Sequence, residues 1–199
     1  MRSTTSVHPT LAASVWPASE RTRWLRAILL AVVGTILLTI AAKIKVPFWP
    51  VPMTMQTFVV LVLGMAYGWR LGAATLALYL AEGALGLPVF SGTPERGIGV
   101  AYILGPTGGY LLGFLLAATA VGWLAEKGWD RSWLSTAGAM LIGNVIIYVP
   151  GILWLGALIG MERAIQVGLL PFLLGDGLKL ALAVAVLPVA WKMISKKST

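Results

Sequence analysis

Asp176 and Lys179 stand three positions apart in Pro171–Ala190, an otherwise apolar run reading PFLLGDGLKLALAVAVLPVA. A charge at the centre of a bilayer costs about 2.5–3.5 kcal/mol on insertion scales. At spacing i,i+3 on a helix the two side chains share a face, so each partly neutralises the other. A buried ion pair is rarely a net stabiliser, which points to function: holding a polar ligand or conducting an ion. A purely structural pair is the plainer alternative.

The rest of the chain must place this pair in a membrane. Of 199 residues 58% are hydrophobic and 11% charged, against about 25% charged in a typical soluble domain. The charges sit between long apolar runs, so the net +8 reads as topology rather than nucleic-acid binding. No cysteine is present and the one histidine, His8, precedes the apolar runs. Disulfides, Fe–S clusters and zinc sites therefore lack ligands, and no metal or other cofactor is expected. No phosphate-binding G-x-x-x-x-G-K-[ST] string occurs, so any ATP-driven step belongs to a partner.

Six runs read as spans: Trp24–Ala42, Met55–Tyr67, Leu71–Leu87, Gly109–Leu124, Leu134–Ile159 and Pro171–Ala190, the short second one borrowing from Pro47–Thr54 or tilting into protein. They predict an all-α integral membrane protein, a single bundle of six transmembrane helices with long external loops. Residues 1–20, with Pro9, Pro17 and several Ser and Thr, read as a disordered tail. Ten cations (Arg2, Arg21, Arg23, Arg26, Arg70, Lys127, Arg131, Lys192, Lys196, Lys197) fall on the side of the termini. Four (Lys43, Lys45, Arg96, Arg163) fall on the other, which places both termini in the cytoplasm.

This orientation brings Asp176 and Lys179 in from the external face, ~8–15 Å deep at 1.5 Å per residue. Gln56 opens the second span from that face, and Asn144 and Tyr148 lie one turn apart on the fifth. The intramembrane polar residues thus point to one outward-opening pocket. The loops over 43–55 and 88–108 are both external and carry unusual chemistry. Phe48 and Trp49 serve either as interfacial anchors or as an apolar wall. Pro88–Gly109 contains Arg96 and enough apolar side chains to read as a folded lid.

Gly105-Pro106-Thr107-Gly108-Gly109-Tyr110 closes that loop and opens the fourth span. With Thr107 as cap, Gly108 and Tyr110 offer open N–H groups to an anionic or carbonyl group, or the glycines permit tight helix packing. Glu82 reads as a structural partner for Arg96 or another cation, and Asn144 by default as an interhelical hydrogen bonder. Ala27 and Ala31, with Gly34 and Thr35 following, form a small-residue stripe that lets a helix of this chain or of another protein approach closely.

The ordered strings Gly86-Leu87-Pro88-Val89-Phe90, Gly105-Pro106-Thr107-Gly108-Gly109-Tyr110-Leu111 with Gly113-Phe114, and Gly175-Asp176-x-x-Lys179 resemble the BioY family. That family comprises the biotin-specific substrate-binding (S) components of energy-coupling factor transporters, and the resemblance runs from about Trp24 to Lys192. It implies a non-enzymatic S-component domain over residues 21–195 following a cytoplasmic tail over 1–20, in the bacterial cytoplasmic membrane. It also implies capture of biotin from outside, then uptake with a transmembrane coupling subunit and ATPase subunits. The family's helix-one alanine motif, which contacts the coupling subunit, maps onto Ala27 and Ala31.

Biotin fits the polar residues. Lys179 is expected to neutralise its carboxylate, with Asp176 or Asn144 accepting from the ureido N–H groups. Arg96 or the Gly108–Tyr110 helix start offers the carboxylate a different place. An S component for another vitamin would keep the architecture and change the pocket. A proton-coupled carrier using Asp176 is the rival of another class.

Overall fold

The computed structural model describes residues 8–47 and 53–197. Among the described residues the regular structure is helical apart from two two-residue strands paired antiparallel. In order it runs α1 (Leu11–Val15), α2 (Arg23–Lys43), β1 (Lys45–Val46), β2 (Met53–Thr54), α3 (Gln56–Tyr67) and α4 (Trp69–Ala84). It continues through α5 (Val100–Ile103), α6 (Gly108–Glu126), α7 (Trp133–Ile159), α8 (Met161–Gly168) and α9 (Leu170–Lys197). Among the described residues, four stretches are long and apolar enough to cross a membrane: Arg23–Lys43, Gly108–Glu126, Trp133–Ile159 and Met161–Ile194. At ~1.5 Å per residue, α3 with its 12 residues falls short of a 30 Å hydrocarbon core.

α6 is the axis of the molecule, and its sequence explains why. Small residues occupy two of its faces and let backbone meet backbone. On one, Gly109 and Gly113 lie against the backbone of Pro150 and Ile147 of α7. A Cβ on Gly113 would come within 2.7 Å of the Ile147 carbonyl oxygen. On the other, Gly64 of α3 faces the backbone of Ala118, and Gly122 faces Gly68 and Trp69 at the α3–α4 turn. That turn is tight because Gly68 adopts φ +80°, which a side chain would resist.

α2 packs through Ala31, Gly34, Thr35 and Leu38, all buried. Gly34 abuts the Thr75 methyl group, and Thr35 donates to Glu82 Oε1 at 3.1 Å, both on α4. The small-residue stripe is thus occupied from Ala31 onward by this chain's own helices, while Ala27 is half-buried. The other face of α2 exposes Trp24, Ile28, Val32, Ile36 and Ile40, as a lipid-contacting helix would.

The tail expected to be disordered is partly structured. Thr10 caps α1 by accepting from the Ala13 amide at 3.3 Å, and Leu11 is buried in the main core. The His8 amide donates to the Glu126 carbonyl at 2.8 Å. A single buried leucine with a capped turn is enough to dock the segment, and five residues are too few to show a period.

The loop between α4 and α6 is folded, as its apolar content predicts. Phe90 is fully buried, stacked on Tyr102 at 4.9 Å between centroids and edge-on to Tyr79 at 5.4 Å. Gly83 leaves the space that the Phe90 ring fills. Tyr79 donates to the Val89 carbonyl at 2.9 Å, and Trp154 to that of Gly105 at 2.9 Å. Phe48 and Trp49 lie outside the described residues.

Candidate ligand-binding site

A cavity of about 820 Å³ opens between the α4–α6 loop, the β-hairpin and the ends of α3, α6, α7, α8 and α9. Its volume falls within the ~300–1,000 Å³ of small-molecule sites. Most of its wall is apolar: Phe90, Tyr102, Leu111, Phe114, Ile147 and Phe172. Polar groups enter it in two sets, one buried and one exposed.

The buried set is built on α9. Asp176 and Lys179 are 6% and 9% exposed, and their side chains meet at 2.9 Å. The helix alone brings them together, since i and i+3 lie on one face. Two further helices complete the coordination. Thr57, in the first turn of α3, donates to Asp176 Oδ1 at 3.2 Å and accepts from Lys179 Nζ at 2.9 Å. Tyr148 of α7 donates to Asp176 Oδ2, and its ring stands edge-on to Tyr110 of α6. Tyr110 in turn donates to the Gly168 carbonyl at 2.9 Å, fixing the end of α8. Gln56 is buried, lines the cavity and donates to the Tyr79 hydroxyl at 2.8 Å.

Two protein acceptors therefore engage the Lys179 ammonium, which has three N–H donors. Asp176 Oδ2 receives Tyr148 alone among the hydrogen bonds described. The pair carries no net charge yet keeps both donor and acceptor capacity. This arrangement suits a neutral ligand group that both donates and accepts.

The exposed set consists of Lys45, Glu95 and Arg96. Lys45 comes from β1 and the other two from the α4–α6 loop, so the rim carries two cations against one anion.

Several expected site residues sit elsewhere. Asn144 does not line the main cavity; its amide donates to the Met140 carbonyl one turn back at 3.1 Å. It borders a minor gap beside Lys179 with Phe58 and Leu61. Gly108 is buried against the Ile103 carbonyl and the Trp154 ring, and Thr107 makes no side-chain cap bond. The glycines at this helix start serve close packing, although Pro106, Thr107 and Tyr110 do line the cavity. Glu82 accepts from Thr35 rather than from Arg96. Sequence reasoning missed Thr57, Tyr102 and Phe114. A threonine or an aromatic in an apolar helix carries no signal until its tertiary neighbours are known.

The family model described as the BioY family matches residues 9–196. The chain belongs to the BioY family. Among its relatives, the biotin transporter BioY of Thermotoga maritima is 37% identical over 163 residues, 81% of this chain and 94% of the relative. The probable biotin transporter BioY of Pyrococcus horikoshii is 39% identical over 150 residues, 75% of this chain and 86% of that one. The crystal structure of the S-component for biotin from an ECF-type ABC transporter superposes with a TM-score of 0.72 at 24% identity. That match covers 88% of this chain and 95% of the solved one, and shows that this BioY protein has the same helical fold.

Proposed function

We propose that this BioY protein captures biotin at the cavity and serves biotin uptake as the S component of an ECF-type transporter, acting as a transport protein rather than an enzyme. The observation that carries this reading is the neutral Asp176–Lys179–Thr57 cluster at a largely apolar cavity. Family membership and relatives named as biotin transporters support it. A ureido ring offers two N–H donors and one carbonyl, matching Asp176 Oδ2 and the remaining Lys179 N–H. The apolar bicycle packs against Phe90, Tyr102 and Phe114.

Charge balance supports the rim set as the place for the carboxylate. A carboxylate added to the already neutral buried pair would bring in a net unpaired charge at high desolvation cost. At the rim, Lys45 and Arg96 outnumber Glu95 and solvent remains. This assignment reverses the expectation that Lys179 holds the carboxylate. A proton-relay role for Asp176 fits less well, because Lys179, Thr57 and Tyr148 all hold that side chain.

The same reading has six crossings in a bacterial cytoplasmic membrane, with the α2–α3 and α4–α6 loops external and both termini cytoplasmic. Residues 1–20 form the cytoplasmic tail and 21–195 the membrane domain. Support comes from the docking of His8 beside Glu126 and Gly128, at helix ends remote in sequence from the cavity's loops. ATP hydrolysis falls to partner ATPase subunits joined through a transmembrane coupling subunit, with half-buried Ala27 the candidate contact, Ala31 being covered by this chain's own helices, and no cofactor on this chain. Equilibrium binding of labelled biotin to the purified protein in detergent tests the reading. Saturable binding that unlabelled biotin displaces supports it, whereas a well-folded protein that binds no biotin overturns it.

A further inference from the structure

Lys43 ends α2, yet its ammonium reaches across to the α4–α6 loop. Nζ donates to the Phe90 carbonyl at 2.7 Å, the Thr93 carbonyl at 3.1 Å and the Thr93 hydroxyl at 3.0 Å. All three ammonium hydrogens are thereby directed at one turn of chain 47 to 50 positions away. The turn is shaped to receive them. The Thr93 hydroxyl donates to the Phe90 carbonyl at 2.9 Å, so the acceptors converge. Phe90 and Gly92 of this turn line the cavity, while Lys43 does not.

We infer that Lys43 is a positioning residue for ligand retention, holding the Phe90–Thr93 turn as a fixed wall of the cavity without touching the ligand. This rests on the reading of the cavity as the biotin site. The charge-assisted bonds are stronger than neutral ones, and no other cation is recorded on these carbonyls. Tyr79 tethers the adjacent Val89 carbonyl from α4 and the Tyr102 hydroxyl accepts from the Gly92 amide at 3.3 Å, so Lys43 adds a charged anchor to neutral ones. Loss of the charged anchor frees the turn to part from α2, and a bound molecule then escapes past it.

The test compares the full chain with its Lys43→Met, Lys43→Arg and Thr93→Val variants in detergent, following labelled-biotin association and dissociation. Lys43→Met is expected to speed dissociation about tenfold or more while association stays within about threefold. Arginine restores slow dissociation, and Lys43→Met with Thr93→Val gives less than the product of the single effects. A loss of folding alone would lower the active fraction, without this split of rates or the arginine rescue. Dissociation unchanged in Lys43→Met overturns the inference. If the parent binds no biotin, the site reading fails and trypsin cleavage after exposed Arg96 decides the clamp instead. Faster cleavage in Lys43→Met than in the parent supports it, and equal cleavage overturns it.

Discussion

The Thr57 hydroxyl stands between both partners of the ion pair, 3.2 Å from Asp176 Oδ1 and 2.9 Å from Lys179 Nζ. One small side chain from α3 thus closes a ring of hydrogen bonds with two residues of α9. Valine has the same shape and neither function. Thr57→Val is expected to weaken biotin binding about tenfold, and Thr57→Ser to retain most of the affinity, read by equilibrium titration.

Tyr148 anchors the other Asp176 oxygen from α7. Tyr148→Phe keeps the ring against Tyr110 and deletes only the donor. A hydrogen bond to a charged group contributes about 1.5–3 kcal/mol, so affinity should fall by about tenfold to a hundredfold. The thermal unfolding midpoint should move far less than the affinity, which separates a site role from a packing role.

The rim assignment of the carboxylate predicts a ligand-dependent effect at Arg96. Arg96→Gln should weaken biotin by about threefold to tenfold, less at high salt, because the side chain is exposed. Biotin amide, which lacks the charge, should bind parent and variant alike. Equal losses for the two ligands would move the carboxylate away from this arginine.

Gly113 meets the Ile147 backbone with no room for a side chain. Gly113→Val should force α6 and α7 apart and cost about 1–3 kcal/mol of stability. Thermal or denaturant unfolding in detergent measures it.

Asp130, in the α6–α7 connection, is fully buried, with Oδ2 accepting from Trp191 Nε1 at 2.6 Å and Oδ1 without a described partner. Burial pushes its carboxyl above the ordinary 3.8, against the Trp191 hydrogen bond, a backbone hydrogen bond and the charges of Arg131 and His8, which pull it down. A raised native value means that the folded state holds the proton more tightly than the unfolded chain. The stabilisation is complete below the unfolded value and is lost as pH rises through the folded one. Asp130→Asn cannot titrate. Its melting temperature relative to the parent should therefore climb as pH rises above the ordinary carboxyl value of 3.8.

Much of the helix pattern was legible because the chain punctuates it. Gly68-Trp69-Arg70 marks the α3–α4 turn, and Gly160 with φ +90° ends α7. α1 and α8 were not legible, being five and eight residues long. The Asp176–Lys179 contact follows from spacing alone, whereas its partners do not. Asn144 and Tyr148 are four apart, yet only the longer tyrosine reaches Asp176, and the short amide bonds back to its own helix. Spacing likewise marked Ala31 as a point of close approach without saying that this chain's own helices would fill it. Which polar groups share a cavity depends on helix rotation, which spacing along the chain does not fix.

Because Asp176 and Lys179 lie within one turn of α9, they emerge during synthesis almost together. The last helix can enter lipid as a segment whose charges already offset each other, which lowers the ~2.5–3.5 kcal/mol that each would cost alone. Thr57 and Tyr148 belong to helices made earlier. Membrane insertion of α9 can therefore precede assembly of the proposed site, which is complete only when this self-neutralised helix packs against the Thr57 and Tyr148 hydroxyls.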